Sequence, residues 1–440
     1  MKLIFILPSV GRKPGTPYAR TWRMEPLTIA VLSSLTPSHI ERVFYDDRIE
    51  DIPYDEPADA VAISVETYTA LRAYRIAGKF RTRGVKVIMG GFHPTLAPEE
   101  AQLHSDAIVI GNAETVWAGL LDDLANGSLK KRYNGADAGF SLTLPDRSIY
   151  RDKKYSAITL IETGRGCPFS CDFCSISPFF RRRYVSRPVG DVARELQNLR
   201  PGLVFFIDDN IGVDRSHFIA LLKAIKPLRV RWCGQISIHV AFDDELLSLM
   251  KSSGCIGVLI GFESLEEENL RLMNKGFNAS GDALPAAIAR IRNHGLGIYA
   301  TFVFGYDGDT EETFNRTLRF AIDQKFFLSA FNHLVPFPGT PLFERLQNEK
   351  RLRNKVWWLS EGYRFGDVVF DPRHMSAPEV AARCLGNRHR FFSIGSIMSR
   401  AFDFKANCRT AGWAILFFLI NGISGLDISR RQGICLGEGP

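Results

Sequence analysis

Hydrophobic positions in the first 127 residues form short apolar runs separated by segments whose apolar side chains recur every three to four residues. Lys2–Leu7, Arg42–Tyr45, Ala60–Val65, Val85–Met89 and Ala107–Ile110 read as buried strands, and Glu25–Leu35, Thr69–Arg83 and Glu114–Leu124 as amphipathic helices. This alternation predicts an α/β domain over residues 1–127, a Rossmann-like doubly wound parallel sheet with helices on both faces. The opening run is too short for a signal-peptide core and reads as the first buried strand. Residues 128–155 are rich in Gly, Asp, Lys and Arg without a long period, and read as a linker.

The alternation resumes at Ala157–Ile161. Strands are expected at Leu203–Ile207, Val230–Gln235, Gly257–Gly261, Gly297–Phe304 and Ala330–Leu334. Between them fall helices at Arg187–Leu199, Ser216–Ile225, Asp244–Lys251, Ala283–His294 and Thr313–Asp323. Six strand-helix units over 156–345 predict a partial (β/α)6 TIM-like barrel, with its site at the C-terminal strand ends. Residues 346–440 read as mainly helical. Within them, residues 411–423 form an apolar stretch shorter than the roughly 20 residues a membrane span needs. Three readings stand for that stretch: a helix packed on the barrel, a helix lying on a membrane with basic flanks, or the wall of a lipid-like substrate pocket.

Composition refines this picture modestly. A chain of 440 residues implies two to three domains, and the net charge of +7 demands no nucleic acid. Eight cysteines, three of them clustered, do not resemble a secreted disulfide framework, so a reducing cytoplasm is expected, with peripheral contact to the inner membrane face as an extension.

The cluster is the chemical anchor. Cys167, Cys171 and Cys174 are spaced C-x3-C-x2-C on a loop after an apolar strand, with Phe173 directly before the third Cys. Thiolates suit zinc or iron-sulfur clusters, and zinc would want a fourth ligand that no neighbouring residue supplies. Three Cys can hold three irons of a 4Fe-4S cube and leave the fourth iron open. A zinc-clamped binding protein remains the non-enzymatic alternative.

This motif resembles the signature of the radical S-adenosylmethionine (radical SAM) superfamily, and Met89-Gly90-Gly91-Phe92-His93-Pro94-Thr95 through Gly111-Asn112-Ala113-Glu114 resembles the cobalamin-binding domain of its cobalamin-dependent branch. The resemblance implies a 4Fe-4S cluster on Cys167, Cys171 and Cys174, SAM on its open iron, and cobalamin over the first sheet. It implies SAM contacts from Phe173, Asp208, Gln235, Gly261, Glu263, Ser264 and Gly305, which lie in the cysteine loop or at strand ends. It implies cobalamin contacts from Ser64, Thr67, Gly90, Gly91, His93, Gly111, Asn112 and Glu114. The motif D-x-H-x-x-G, whose His replaces the lower cobalt ligand in other cobalamin proteins, is lacking.

The chemistry implied is hydrogen abstraction from an unactivated carbon by a 5'-deoxyadenosyl radical, then methylation from methylcobalamin. Radical cyclisation or carbon-carbon coupling, with or without cobalamin, is the alternative outcome. Partners expected are a hydrophobic small molecule such as a lipid or tetrapyrrole, and an electron donor such as flavodoxin or ferredoxin. Arg181-Arg182-Arg183, beside the cysteine loop, reads as a solvated basic face open to such a donor.

Overall fold

A computed structural model of the chain describes residues 1–135, 144–199, 201–276 and 283–439. Residues 136–143 of the expected linker lie outside the described residues.

The first sheet comprises β1 (Lys2–Leu7), β2 (Glu41–Asp46), β3 (Ala60–Ser64), β4 (Lys86–Gly90), β5 (Ala107–Ile110) and β6 (Arg132–Asn134). They are parallel, in the order β2-β1-β3-β4-β5-β6. The order reverses at β1, the switch point beside which doubly wound sheets bind ligands. Alternate residues of each strand feed opposite cores. Ile4, Ile6, Val61 and Ile63 pack with the helix Ala70–Arg81, while Leu3, Phe5, Ala60 and Ala62 pack with the helices Leu27–Leu35 and Trp117–Ala125.

The sixth strand departs from expectation, because Arg132–Asn134 pairs with β5 inside the segment read as linker. Its three residues, RYN, are too few to show a period, and their pairing is set by the strand beside them. The same segment also holds a 3-10 helix, Arg147–Tyr150, whose Tyr150 joins the core under Phe44.

The second sheet comprises β7 (Thr159–Ile161), β10 (Leu203–Phe206), β11 (Arg231–Ile236), β12 (Cys255–Glu263), β13 (Gly297–Phe304) and β14 (Leu328–His333). It is parallel, in simple sequential order from β7 to β14, and its two edge strands are not paired with each other. This is the expected six-stranded partial barrel. A hairpin of β8 (Gly164–Gly166) and β9 (Tyr184–Ser186) brackets the cysteines. One face of the sheet is sealed by helices that bury Phe218, Leu222, Leu247, Ile288 and Phe314. The other face keeps Gln235, Gly261, Tyr299 and Asn332 open to the lumen.

The C-terminal region is helical, and it corrects one boundary. The apolar stretch expected at 411–423 continues as one helix, Ala411–Arg431, of 21 residues, long and apolar enough to cross a membrane by length and composition. One face packs into the protein. Asn421 accepts from Arg400 at 3.0 Å, and Asp427 accepts from the Thr21 amide at 2.8 Å and its hydroxyl at 2.9 Å. The other face leaves Ile415, Phe418, Leu419 and Leu426 exposed.

Candidate functional site

The residues after β7 bend into the cysteine loop because two carboxylates brace them. Asp208 accepts from the Thr163 amide at 3.0 Å and its hydroxyl at 2.7 Å, and Asp209 accepts from the Gly166 amide at 3.1 Å. Burial pushes Asp208 up to about 7 and Asp209 up to about 6. Asp208, expected at the SAM site, is thus held by Thr163 on both oxygens and acts through the loop.

The loop is clamped further on. Asp172 accepts from Tyr306, its amide reaches the Met273 carbonyl at 3.1 Å, and its own carbonyl accepts from Leu342 at 3.0 Å. Between these anchors Cys167, Cys171 and Cys174 are free thiols, each partly exposed. Burial pushes Cys171 up to about 12 and Cys174 up to about 11, against which the nearby Lys275 ammonium pulls Cys171 down. Among the described residues no three His, Cys, Asp or Glu side chains are placed to hold a single metal ion. Around a cube each thiolate binds its own iron, so the sulfurs need not converge on one point. Three cysteines on one braced loop are the donor set such a cluster takes.

Beside the loop, Lys275 meets Glu263 at 2.6 Å. Glu263 sits in the left-handed region, φ 63°, and is almost fully buried. A Cβ on Gly261 would stand 2.2 Å from Glu263 Oε1 and 2.9 Å from Lys275 Nζ, so any larger residue would push the pair from its present position. Burial pulls Lys275 down, but Glu263 and the cysteines Cys171 and Cys174 outweigh it and the net shift is upward. Lys275 is not among the expected SAM contacts, although Met273-Asn274-Lys275 resembles the fourth-strand region of the superfamily.

The remaining expected contacts divide. Gln235 lies on the lumen face of β11, and Phe173 packs against the barrel core. Ser264 is turned into the structure, its hydroxyl accepting from the Glu266 amide at 3.0 Å. The Gly305 amide donates to Asp309 at 2.7 Å, inside a buried knot with Asn269 and Tyr306. These two groups shape the strand ends and have their polar atoms occupied there.

Over the carboxyl ends of β3, β4 and β5 lies a cavity. Ser64, Gly90, Gly91, Gly111, Asn112 and Glu114 line it, with Leu27, Val31 and Leu32 as an apolar wall. Gly91 has φ 111°, and a Cβ there would stand 2.7 Å from the Val65 carbonyl oxygen. His93 and Thr67, also expected at the corrin, do not line this cavity. His93 is fully buried, with Nδ1 3.3 Å from Thr67 Oγ1 and Nε2 at 3.1 Å from Tyr74 and 3.0 Å from Glu100. Both ring nitrogens are occupied in the core, so no protein imidazole is presented from this loop.

The two sites adjoin. Arg165, on the cysteine loop, forks onto Glu162 at 3.0 and 2.7 Å and donates to Glu114 of the cavity at 2.8 Å. Phe92 of the cavity loop packs on Phe179 behind the cysteines, ring centres 4.4 Å apart.

The Radical SAM superfamily profile matches residues 161–321 and the B12 binding domain profile residues 33–121. The bacteriochlorophyllide d C-12(1)-methyltransferase of Chlorobaculum tepidum is 31% identical over 389 residues, covering 85% of this chain and 84% of its own. The chain belongs to the cobalamin-dependent radical SAM methyltransferases. The C-8(2)-methyltransferase of bacteriochlorophyllide d from the same organism is also 31% identical, over 75% of this chain and 78% of its own. In fold the chain is similar to the radical SAM methyltransferase TsrM of Kitasatospora setae, solved with cobalamin and a [4Fe-4S] cluster, at TM-score 0.63 and 17% identity over 79% of this chain and 75% of that one. The cofactors of this methyltransferase are therefore a 4Fe-4S cluster, S-adenosylmethionine and cobalamin.

Proposed function

We propose that this enzyme methylates an unactivated carbon on an amphipathic tetrapyrrole, in the manner named for its bacteriochlorophyllide relatives. The observation that carries the reading is the contact between cavity and cysteine loop through Arg165 and Glu114, because radical source and methyl carrier must face one substrate.

Cys167, Cys171 and Cys174 would hold the cluster. Glu263, Lys275, Gly261 and Gln235 would line the SAM side, and Ser64, Gly90, Gly91, Gly111, Asn112 and Glu114 the corrin side. When bound, the cluster supplies the electron that cleaves SAM and the corrin carries the methyl group. The chain's own part is positioning and exclusion of water. Phe92, Phe179 and Phe180 pack together at the wall of the cavity. Tyr68, Phe337, Trp357 and Phe365 form a second aromatic cluster, with Tyr68 within 6 Å of each of the other ring centres.

Reconstituted protein given methyl-labelled SAM, dithionite and bacteriochlorophyllide d is expected to form 5'-deoxyadenosine and a labelled pigment. Replacing all three cysteines with Ala removes both products and leaves corrin absorbance intact. An unlabelled, cyclised product or failure to bind hydroxocobalamin overturns the reading.

We further propose that the protein sits on the cytoplasmic membrane face and takes electrons from a small acidic carrier protein at the exposed Arg181, Arg182 and Arg183. Support for the membrane comes from Phe402, Phe404, Ile415 and Leu419, each more than half exposed. Asn421 and Asp427, bonded inside the fold, favour a helix lying on the surface over one crossing it. Flotation with anionic vesicles is expected for the wild type and lost in Phe404→Glu/Leu419→Glu. Equal flotation of both argues against the contact.

A further inference from the structure

β14 is an edge strand, and the helix Ala377–Phe391 covers its outer side, with Phe391 and Phe331 ring centres 5.6 Å apart. From that helix Arg388 reaches around the edge. Its Nε donates to the Phe331 carbonyl at 2.9 Å and its Nη1 to Gln432 Oε1 at 3.3 Å. Arg345 and Arg351 meet Asp307 at 2.9 and 2.8 Å, whereas Arg400 and Arg409 bond to backbone carbonyls instead. Among the described residues Arg388 meets no carboxylate. Its charged and polar neighbours include Arg431, Cys384, His333 and the phenols of Tyr68 and Tyr299.

Arg431 has the same character. It donates to the Asp427 carbonyl at 3.4 Å and lies 5.4 Å from the centre of the Trp22 ring. Trp22 packs edge-on against Phe365 at 5.0 Å, and Phe365 against Tyr68 at 5.4 Å. Tyr299, on the lumen face of β13, keeps 37% of its surface open although it lies mid-strand. Two arginines and the Tyr68 and Tyr299 phenols thus lie near one another beside a run of aromatic rings. Burial holds Arg388 below the usual arginine range, as expected of a cation with no counter-ion. Leaving such a charge unpaired costs stability that a bound anion restores.

We propose that Arg388 and Arg431 bind a carboxylate of the substrate, with the Tyr299 hydroxyl as a further donor and the apolar body of the substrate against Trp22, Phe365 and Tyr68. This rests on the reading of an amphipathic organic substrate and adds to it the group by which the substrate is oriented. A guanidinium fork suits a carboxylate and gains little from its methyl ester, which has lost the charge.

The test is calorimetric titration of the cluster- and corrin-loaded enzyme with two pairs of probes: bacteriochlorophyllide d and its methyl ester, and dodecanoate and methyl dodecanoate. Wild type is expected to prefer the acid by roughly tenfold or more in at least one pair. Arg388→Gln and Arg431→Gln should each cut that preference to about threefold or less, with iron content unchanged. Arg388→Lys, which keeps charge but not the fork, should fall between. If Arg388→Gln loses its iron, Arg431→Gln carries the test. A preference confined to dodecanoate and dependent on the arginines keeps the carboxylate site and overturns the tetrapyrrole reading. No acid preference in the wild type, or one that survives both Gln variants, overturns the site.

Discussion

Arg165 donates to Glu114 at 2.8 Å, joining the cysteine loop to the first sheet's ligand cavity through one guanidinium. The same side chain forks onto Glu162, and both acids raise the arginine's pKa beyond what burial takes away. An arginine spanning two sites fixes their spacing, which a lysine with a single point charge would not do.

Arg165→Gln strands Glu162 and Glu114 in a largely buried place. Removing one partner of a buried pair costs about 3 kcal/mol, so the midpoint of urea unfolding should fall clearly. Single-turnover methyl transfer should fall more than 5'-deoxyadenosine formation does, because the spacing is disturbed while the loop keeps its cysteines. Equal losses in both argue that Arg165 serves the cysteine loop alone.

Gly261→Ala should raise the KM for SAM by about tenfold through displacement of the Glu263 and Lys275 pair, a loss of about 1.4 kcal/mol. Iron and sulfide content should stay at wild-type levels. A variant with normal KM and lost iron would place the pair's role in holding the loop.

His93→Gln should leave the visible spectrum of bound corrin unchanged, since His93 is occupied by Thr67, Tyr74 and Glu100. Stability should drop by about 1–3 kcal/mol from the unsatisfied buried partners, read by urea unfolding. A shifted corrin spectrum would return His93 to the cobalt.

The Asp208 carboxyl titrates at about 7 in the folded protein, against an ordinary value of 3.8. The folded state therefore binds its proton more tightly than the unfolded state between those values. Its contribution to stability is fully present below about pH 4 and is lost as pH rises through 7. Asp208→Asn should flatten the unfolding free energy of the cofactor-free protein across this window. An unchanged slope points to Asp209 and Asp309, raised to about 6 and about 7.

Much of this protein is legible in local sequence. The apolar runs of β1, β3, β4 and β5 are continuous because both faces of a parallel sheet are buried, and C-x3-C-x2-C carries its chemistry in its spacing.

What the sequence leaves open is decided by distance in the fold. β6 is three residues long and exists because β5 offers an edge. Thr67 and His93 open short helices just past the ends of β3 and β4, yet their side chains turn into the core, where they meet each other and Tyr74 and Glu100 complete the contacts of His93. Arg165 and Glu114 are 51 positions apart, and Arg388 and Tyr299 come from different layers. Periodicity reports which face of an element is buried, whereas such pairings depend on how elements stack, which only the packed chain determines.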